Sequence, residues 1–126
     1  MRKLLIVDDE EDVRNFTANF FRKRQLDVHT ASSGEEAIET LKNSKPDLVL
    51  LDICMGGISG IQTLAEIKKI DKSIKVVIVT ATRPEENECY HECISLGACG
   101  YVQKPLELKE LELVVMSTLQ PEGTTA

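Results

Sequence analysis

Short apolar runs recur along this chain, separated by segments with a helical rhythm of apolar and polar positions. Leu4-Leu5-Ile6-Val7, Leu48-Val49-Leu50-Leu51 and Val76-Val77-Ile78-Val79 are continuously apolar, as strands are in a parallel sheet covered on both faces. They predict the central strands, over Lys3 to Val7, Asp47 to Leu51 and Lys75 to Val79. Two shorter stretches, Leu26 to His29 and Cys99 to Val102, predict outer strands. Helical patterns fill the intervals at Glu11 to Arg24, Ser33 to Asn43, Ser59 to Ile70, Pro84 to Leu96 and Glu107 to Leu119. In the first of these, Val13, Phe16 and Phe20 are spaced by three and four residues and predict its buried stripe. Ser33 with Glu36, Ser59 with Gln62 and Thr82 with Glu85 have the form of capping boxes, in which the partner side chain answers a backbone amide left open at a helix start. The alternation is that of a (βα)5 chain, an α/β fold with a parallel sheet between helices, and it leaves the strand order open.

Length and composition narrow the function. At 126 residues, with 42% apolar and 29% charged positions, the chain fits one domain with a real core, expected over residues 1–119, followed by a tail or linker start from Gln120 to Ala126. Twenty-one acidic residues against fifteen basic ones give a formal charge of -6, which repels a phosphate backbone and argues against direct nucleic-acid binding. No apolar run approaches the roughly 20 residues that span a bilayer. Met1-Arg2-Lys3 leads into only four apolar residues before Asp8, too few for a signal peptide, so the expected location is cytoplasmic, with no membrane contact. Cys54, Cys89, Cys93 and Cys99 form no CxxC pair and read as ordinary reduced thiols, although Cys89 and Cys93 are spaced to face each other on a helix. His29 and His91 have no metal or nucleophile constellation around them and read as surface or packing residues.

The polar residues with chemical potential fall where the strands end, the edge at which open α/β sheets gather ligands. Asp8, Asp9 and Glu10 follow the first strand, Asp52 the third, Thr80 the fourth and Lys104 the fifth. Crowded carboxylates raise one another's proton affinity unless a cation neutralises them, and an all-oxygen set suits Mg2+. For Asp8 and Asp9 an acidic first turn compensating the helix dipole is an equally simple explanation. Asp52 is harder to dismiss, because it ends an apolar strand and enters a glycine-rich loop that lets a ligand approach. A carboxylate there can attack phosphorus to form an acyl phosphate while Lys104 neutralises phosphoryl oxygens and Thr80 bonds one of them.

With these pieces assembled, the chain resembles a response-regulator receiver domain. The resemblance rests on Leu4-Leu5-Ile6-Val7-Asp8-Asp9-Glu10, Asp47-Leu48-Val49-Leu50-Leu51-Asp52-Ile53 with Met55 and Gly60, Val79-Thr80-Ala81, Gly97-Ala98, Gly100-Tyr101 and Lys104-Pro105, and it covers essentially the whole chain. It implies a flavodoxin-like, doubly wound three-layer sandwich with strand order 2-1-3-4-5. It implies Asp52 as phosphoacceptor from the phosphohistidine of a histidine kinase or a histidine phosphotransfer protein, followed by magnesium-dependent autodephosphorylation. By the same resemblance Mg2+ is held by Asp8, Asp9, Asp52 and the backbone carbonyl of Cys54. Lys104 contacts the phosphoryl group, Thr80 moves toward it, and Tyr101 changes rotamer, coupling the site to the face of the fourth helix, fifth strand and fifth helix. A cis peptide between Lys104 and Pro105 is implied as well. Ala81 is small, as expected beside the pocket, and Thr82 occupies a position that influences phosphoryl lifetime.

One departure concerns Gly56-Gly57, where the family commonly has proline after the methionine. Glycine gives the unfolded loop more freedom, which predicts a more mobile loop with weakened magnesium or partner binding and with phosphorylation retained. In the last helix Leu108, Leu111, Val115 and Leu119 form a core stripe, and Leu113, Val114 and Met116 widen the apolar arc beyond it. The surplus fits a homodimer or effector surface, or cover by the neighbouring loop or tail. Other readings are a small magnesium-dependent phosphatase, a non-phosphorylated interaction module and a flavin binder. The first lacks a second carboxylate two residues after Asp52, the second leaves the Asp, Thr and Lys set unused, and the third places an anionic flavin phosphate among carboxylates.

Overall fold

The apolar runs at Leu4, Leu48 and Val76 become the middle of a five-stranded parallel sheet. The computed structural model describes residues 2–53, 60–80, 90–103 and 107–119. In chain order the elements are β1 (Lys3–Val7), α1 (Glu11–Arg22), β2 (Asp27–Ala31), α2 (Gly34–Asn43), β3 (Leu48–Asp52), α3 (Gly60–Ile70), β4 (Lys75–Thr80), α4 (Tyr90–Ser95), β5 (Gly100–Gln103) and α5 (Leu108–Leu119). The strands lie in the order β2-β1-β3-β4-β5, the order implied by the resemblance.

Side chains of alternate parity enter two separate cores, one on each face of the sheet. Leu4, Ile6, Leu48, Leu50, Val77, Val79 and Val102 pack with Phe21 of α1 and with Leu111, Val115 and Leu119 of α5. Leu5, Val7, Val49, Leu51, Val76 and Ile78 pack on the other face with Ala37 and Leu41 of α2, Leu64 and Ile67 of α3 and Cys93 of α4. Burial on both faces is why the runs are continuously apolar rather than alternating.

The expected bounds of β2 and α1 and the expected buried stripe of α1 need correction. β2 runs from Asp27 to Ala31 rather than Leu26 to His29, because it pairs with β1 along its whole length, Lys3 opposite Asp27 and Val7 opposite Ala31. In α1 the buried residues are Thr17, Ala18 and Phe21, whereas Phe16 is 62% exposed and Phe20 is half-buried. The first helix contains two overlapping apolar stripes, and the one ending in Phe21 faces the sheet. α1 also stops at Arg22, two residues early, in a turn where Gln25 takes φ 65°. That left-handed geometry cannot continue a right-handed helix.

The cap of α2 is half as expected. Ser33 Oγ accepts the Glu36 N–H at 3.1 Å, but the Glu36 carboxylate accepts the N–H and hydroxyl of Ser32 rather than of Ser33. Those bonds, the hydroxyl first, hold the Glu36 carboxyl below its ordinary value. Ser59, Thr82 and Glu85 of the other two boxes lie outside the described residues, as do Pro84 to Cys89 of the fourth helix and the segment 120–126. In α5 the expected stripe is buried at Leu111, Val115 and Leu119, Leu108 is half-buried, and Val114 and Met116 rest against the core. Leu113 is 69% exposed. No helix among the described residues is long and apolar enough to cross a membrane.

Candidate functional site

Register brings the carboxylates together at the carboxyl edge of the sheet. Val7 of β1 pairs with Leu51 of β3, so the next residue on each strand is an aspartate, Asp8 and Asp52. Both are buried, at 4% and 3% exposure. The Asp8 N–H bonds the Ala31 carbonyl at 3.1 Å, its carboxylate accepts the Glu10 N–H at 2.9 Å, and its own carbonyl accepts from Arg14 Nη1 at 2.9 Å. These bonds fix the strand-to-helix turn, leaving Asp9 and Glu10 exposed.

One carboxylate oxygen from each of Asp8, Asp9 and Glu10 lies within 4.8 Å of the others. Three like charges so close favour a hard cation, and carboxylate oxygens are the donors magnesium prefers. The donor set therefore fits Mg2+, with Glu10 as a member that the family-based ligand set omits. Asp52 is not part of that group of three, but it and Asp8 line one cavity on the α1 and α5 face.

Asp52 pairs with Val79 on β4, and the Ile53 N–H continues the ladder to the Val79 carbonyl at 3.2 Å. Thr80, one residue further, is completely buried and pairs in register with Gln103. Tyr101 pairs with Ile78 and rests half-buried against the core on the α2, α3 and α4 side. Alternation thus puts Thr80 and Tyr101 on one face of the sheet. The remaining expected members, Cys54, Lys104 and Pro105, lie outside the described residues, together with Gly56-Gly57, Ala81 and Thr82.

Cys93 is buried and Cys99 exposed, neither in a disulfide bond, and Cys89 lies outside the described residues. His29 and His91 are exposed, His29 with Nε2 3.3 Å from the Asp27 carboxylate. Two residues near the site carry no signal in the apolar pattern: Arg14, which holds the Asp8 carbonyl, and Thr17, which lines the cavity with Asp8 and Asp52. Only the register of α1 against β1 brings them there.

Comparison with known proteins agrees with this geometry. The family model described as the response regulator receiver domain matches residues 4–116. Sporulation initiation phosphotransferase F of Bacillus subtilis is 35% identical over 117 residues, covering 93% of both chains. Response regulator SaeR of Staphylococcus aureus is 36% identical over 94% of this chain but 51% of its own length, and regulatory protein AtoC of Escherichia coli is 36% identical over 95% of this chain and 26% of its own. The chain thus spans nearly all of one such relative and about a half and a quarter of the others. Among solved structures, response regulator TrrA of Thermotoga maritima, crystallised with Mg2+ and BeF, superposes with a TM-score of 0.82 at 33% identity, covering 94% of this chain and all of that one. Chemotaxis protein CheY4 of Vibrio cholerae, at 24% identity, shares the fold with a TM-score of 0.86 over 94% of this chain and 99% of its own. With its strand order, its paired strand-end aspartates and a family match across nearly the whole chain, this protein belongs to the response-regulator receiver domains of two-component signalling systems.

Proposed function

We propose that Asp52 is the phosphoacceptor of a phosphorylation switch, and that the observation carrying this reading is its place beside Asp8 at the buried ends of β3 and β1. One Asp52 carboxylate oxygen attacks phosphorus, the bond from phosphorus to the imidazole nitrogen of the donor's phosphohistidine breaks, and the departing nitrogen keeps the electron pair. Asp8, Asp9, Asp52 and the Cys54 carbonyl would hold Mg2+, which when bound neutralises phosphoryl oxygens. Glu10 adds a further carboxylate to that edge. Lys104 contributes positive charge to the phosphoryl group, and the Thr80 hydroxyl bonds one of its oxygens. Water later attacks phosphorus and releases phosphate, regenerating the carboxylate, so the protein catalyses its own acceptance and loss of phosphoryl without being a conventional enzyme.

Thr80 and Tyr101 share a sheet face, which supports coupling between the site and the surface of α4, β5 and α5. Partners are a histidine kinase or phosphotransfer protein as donor, and a second copy or an effector on that surface, all in the cytoplasm. The output is a population shift, which requires a partner to bind the two states differently. Intact mass after incubation with a small phosphoryl donor and magnesium tests the chemistry. One labile adduct that needs magnesium and is lost in Asp52→Asn is expected; an adduct of the same yield in a folded Asp52→Asn overturns the assignment.

A further inference from the structure

On its buried face α1 carries a polar side chain, Thr17, 2% exposed, alongside the apolar Ala18 and Phe21. Its hydroxyl donates to the Val13 carbonyl at 2.8 Å. That bond uses its one proton and leaves the oxygen able to accept. Beside it is a cavity of about 10 Å³, with Asp8, Thr17 and Asp52 as polar walls and Leu50, Val79 and Leu111 among the apolar ones. A larger aliphatic side chain at position 17 would extend the apolar face into this space. Cavities that stay dry are apolar, whereas one of about this size with two or more polar partners suits a single water.

We infer that this cavity holds one buried water that donates to the Thr17 hydroxyl oxygen and to the Asp52 carboxylate, making Thr17 a positioning residue for Asp52. The water ties one carboxylate oxygen to α1, which limits rotation of the group and keeps the other oxygen directed at the approaching phosphorus. The alternative role for Thr17, a simple back-bond to Val13, predicts no water and no effect on reaction rate. The location of the water is independent of the phosphoacceptor reading; the rate consequence rests on it.

The test combines a high-resolution crystal structure of the protein with phosphorylation kinetics of Thr17→Val, which keeps the shape and removes the acceptor, and of Thr17→Ser, which keeps the hydroxyl. An ordered water within hydrogen-bond distance of Thr17 Oγ1 and the Asp52 carboxylate is expected in the wild type. Thr17→Val should accept phosphoryl from a small donor about threefold to tenfold more slowly, with unchanged half-saturation by magnesium. Thr17→Ser should react at the wild-type rate. A dry cavity, a Thr17→Val rate equal to wild type, or a Thr17→Ser rate as slow as that of Thr17→Val overturns the inference. If Thr17→Val fails to fold, the wild-type cavity and the Thr17→Ser rate decide. Phosphoryl uptake by wild type with a dry cavity sinks this inference alone, while uptake undiminished in Asp52→Asn sinks the phosphoacceptor reading alone.

Discussion

Gly60, the first residue of α3, sits directly against Ile53, the residue after Asp52: a Cβ at position 60 would fall 2.3 Å from the Ile53 Cα. The neighbour is backbone, which cannot swing aside as a side-chain tip can. The start of α3 is therefore locked to the strand end that carries the proposed nucleophile. Gly60→Ala should cost about 1–3 kcal/mol or more through overpacking and should slow phosphoryl acceptance by displacing Ile53. Urea denaturation alongside the intact-mass assay checks both; an unchanged denaturation midpoint would show that the two segments separate freely.

The two phenylalanines on α1 should differ sharply in stability. Phe21 is completely buried against the sheet, so Phe21→Ala should cost about 3–5 kcal/mol by leaving a cavity. Phe16 is 62% exposed, and Phe16→Ala should change stability by less than about 0.5 kcal/mol. Equal losses in denaturant melts would return the buried stripe to Phe16.

Acid should weaken the turn between α3 and β4 through Asp71. Its carboxylate accepts from Lys45, with Nζ 2.6 Å from Oδ2, and from the hydroxyl and N–H of Ser73 at 2.6 and 2.8 Å. The Lys45 bond first, then those from Ser73, hold the carboxyl well below the usual carboxylate range. The folded state thus binds this proton less readily than the unfolded chain. The contribution is complete above the ordinary value of about pH 4 and is lost as pH falls toward the depressed folded value. Asp71→Asn should lower the thermal midpoint at neutral pH and flatten its decline in acid; a parallel offset at every pH would refute this.

α1 and α5 are tied by Arg24, whose guanidinium lies 3.6 Å from the Phe20 ring centroid and donates through Nε to the Glu112 carboxylate. The pair is about one-third exposed, so solvent screening limits its worth. A double-mutant cycle of Arg24→Met and Glu112→Gln should give a coupling of about 0.5–1 kcal/mol that shrinks in high salt. Coupling that does not change with salt would point to packing on Phe20 instead of charge.

Much of the fold was legible because its strongest signals are local. A strand buried on both faces must be apolar throughout, so Leu4 to Val7, Leu48 to Leu51 and Val76 to Val79 announce themselves without knowledge of their neighbours. Ser33 accepts from the Glu36 amide because a cap involves residues three apart in the chain. The aspartates stand out for the same reason, as charges placed immediately after apolar runs.

Tertiary structure decided what depends on which surfaces meet. Val13, Phe16, Phe20 and Phe21 permit more than one buried face on α1, and packing on β1 chose the face with Phe21 and with it Thr17. The extra length of β2 came from its ladder to β1, not from its own residues. Glu10 joins Asp8 and Asp9 because the Glu10 amide turns back to the Asp8 carboxylate, and Asp8 meets Asp52 because Val7 pairs with Leu51. Periodicity reports which residues avoid water, whereas the partner that excludes the water, and the polar group left facing it, are set only when distant segments pack.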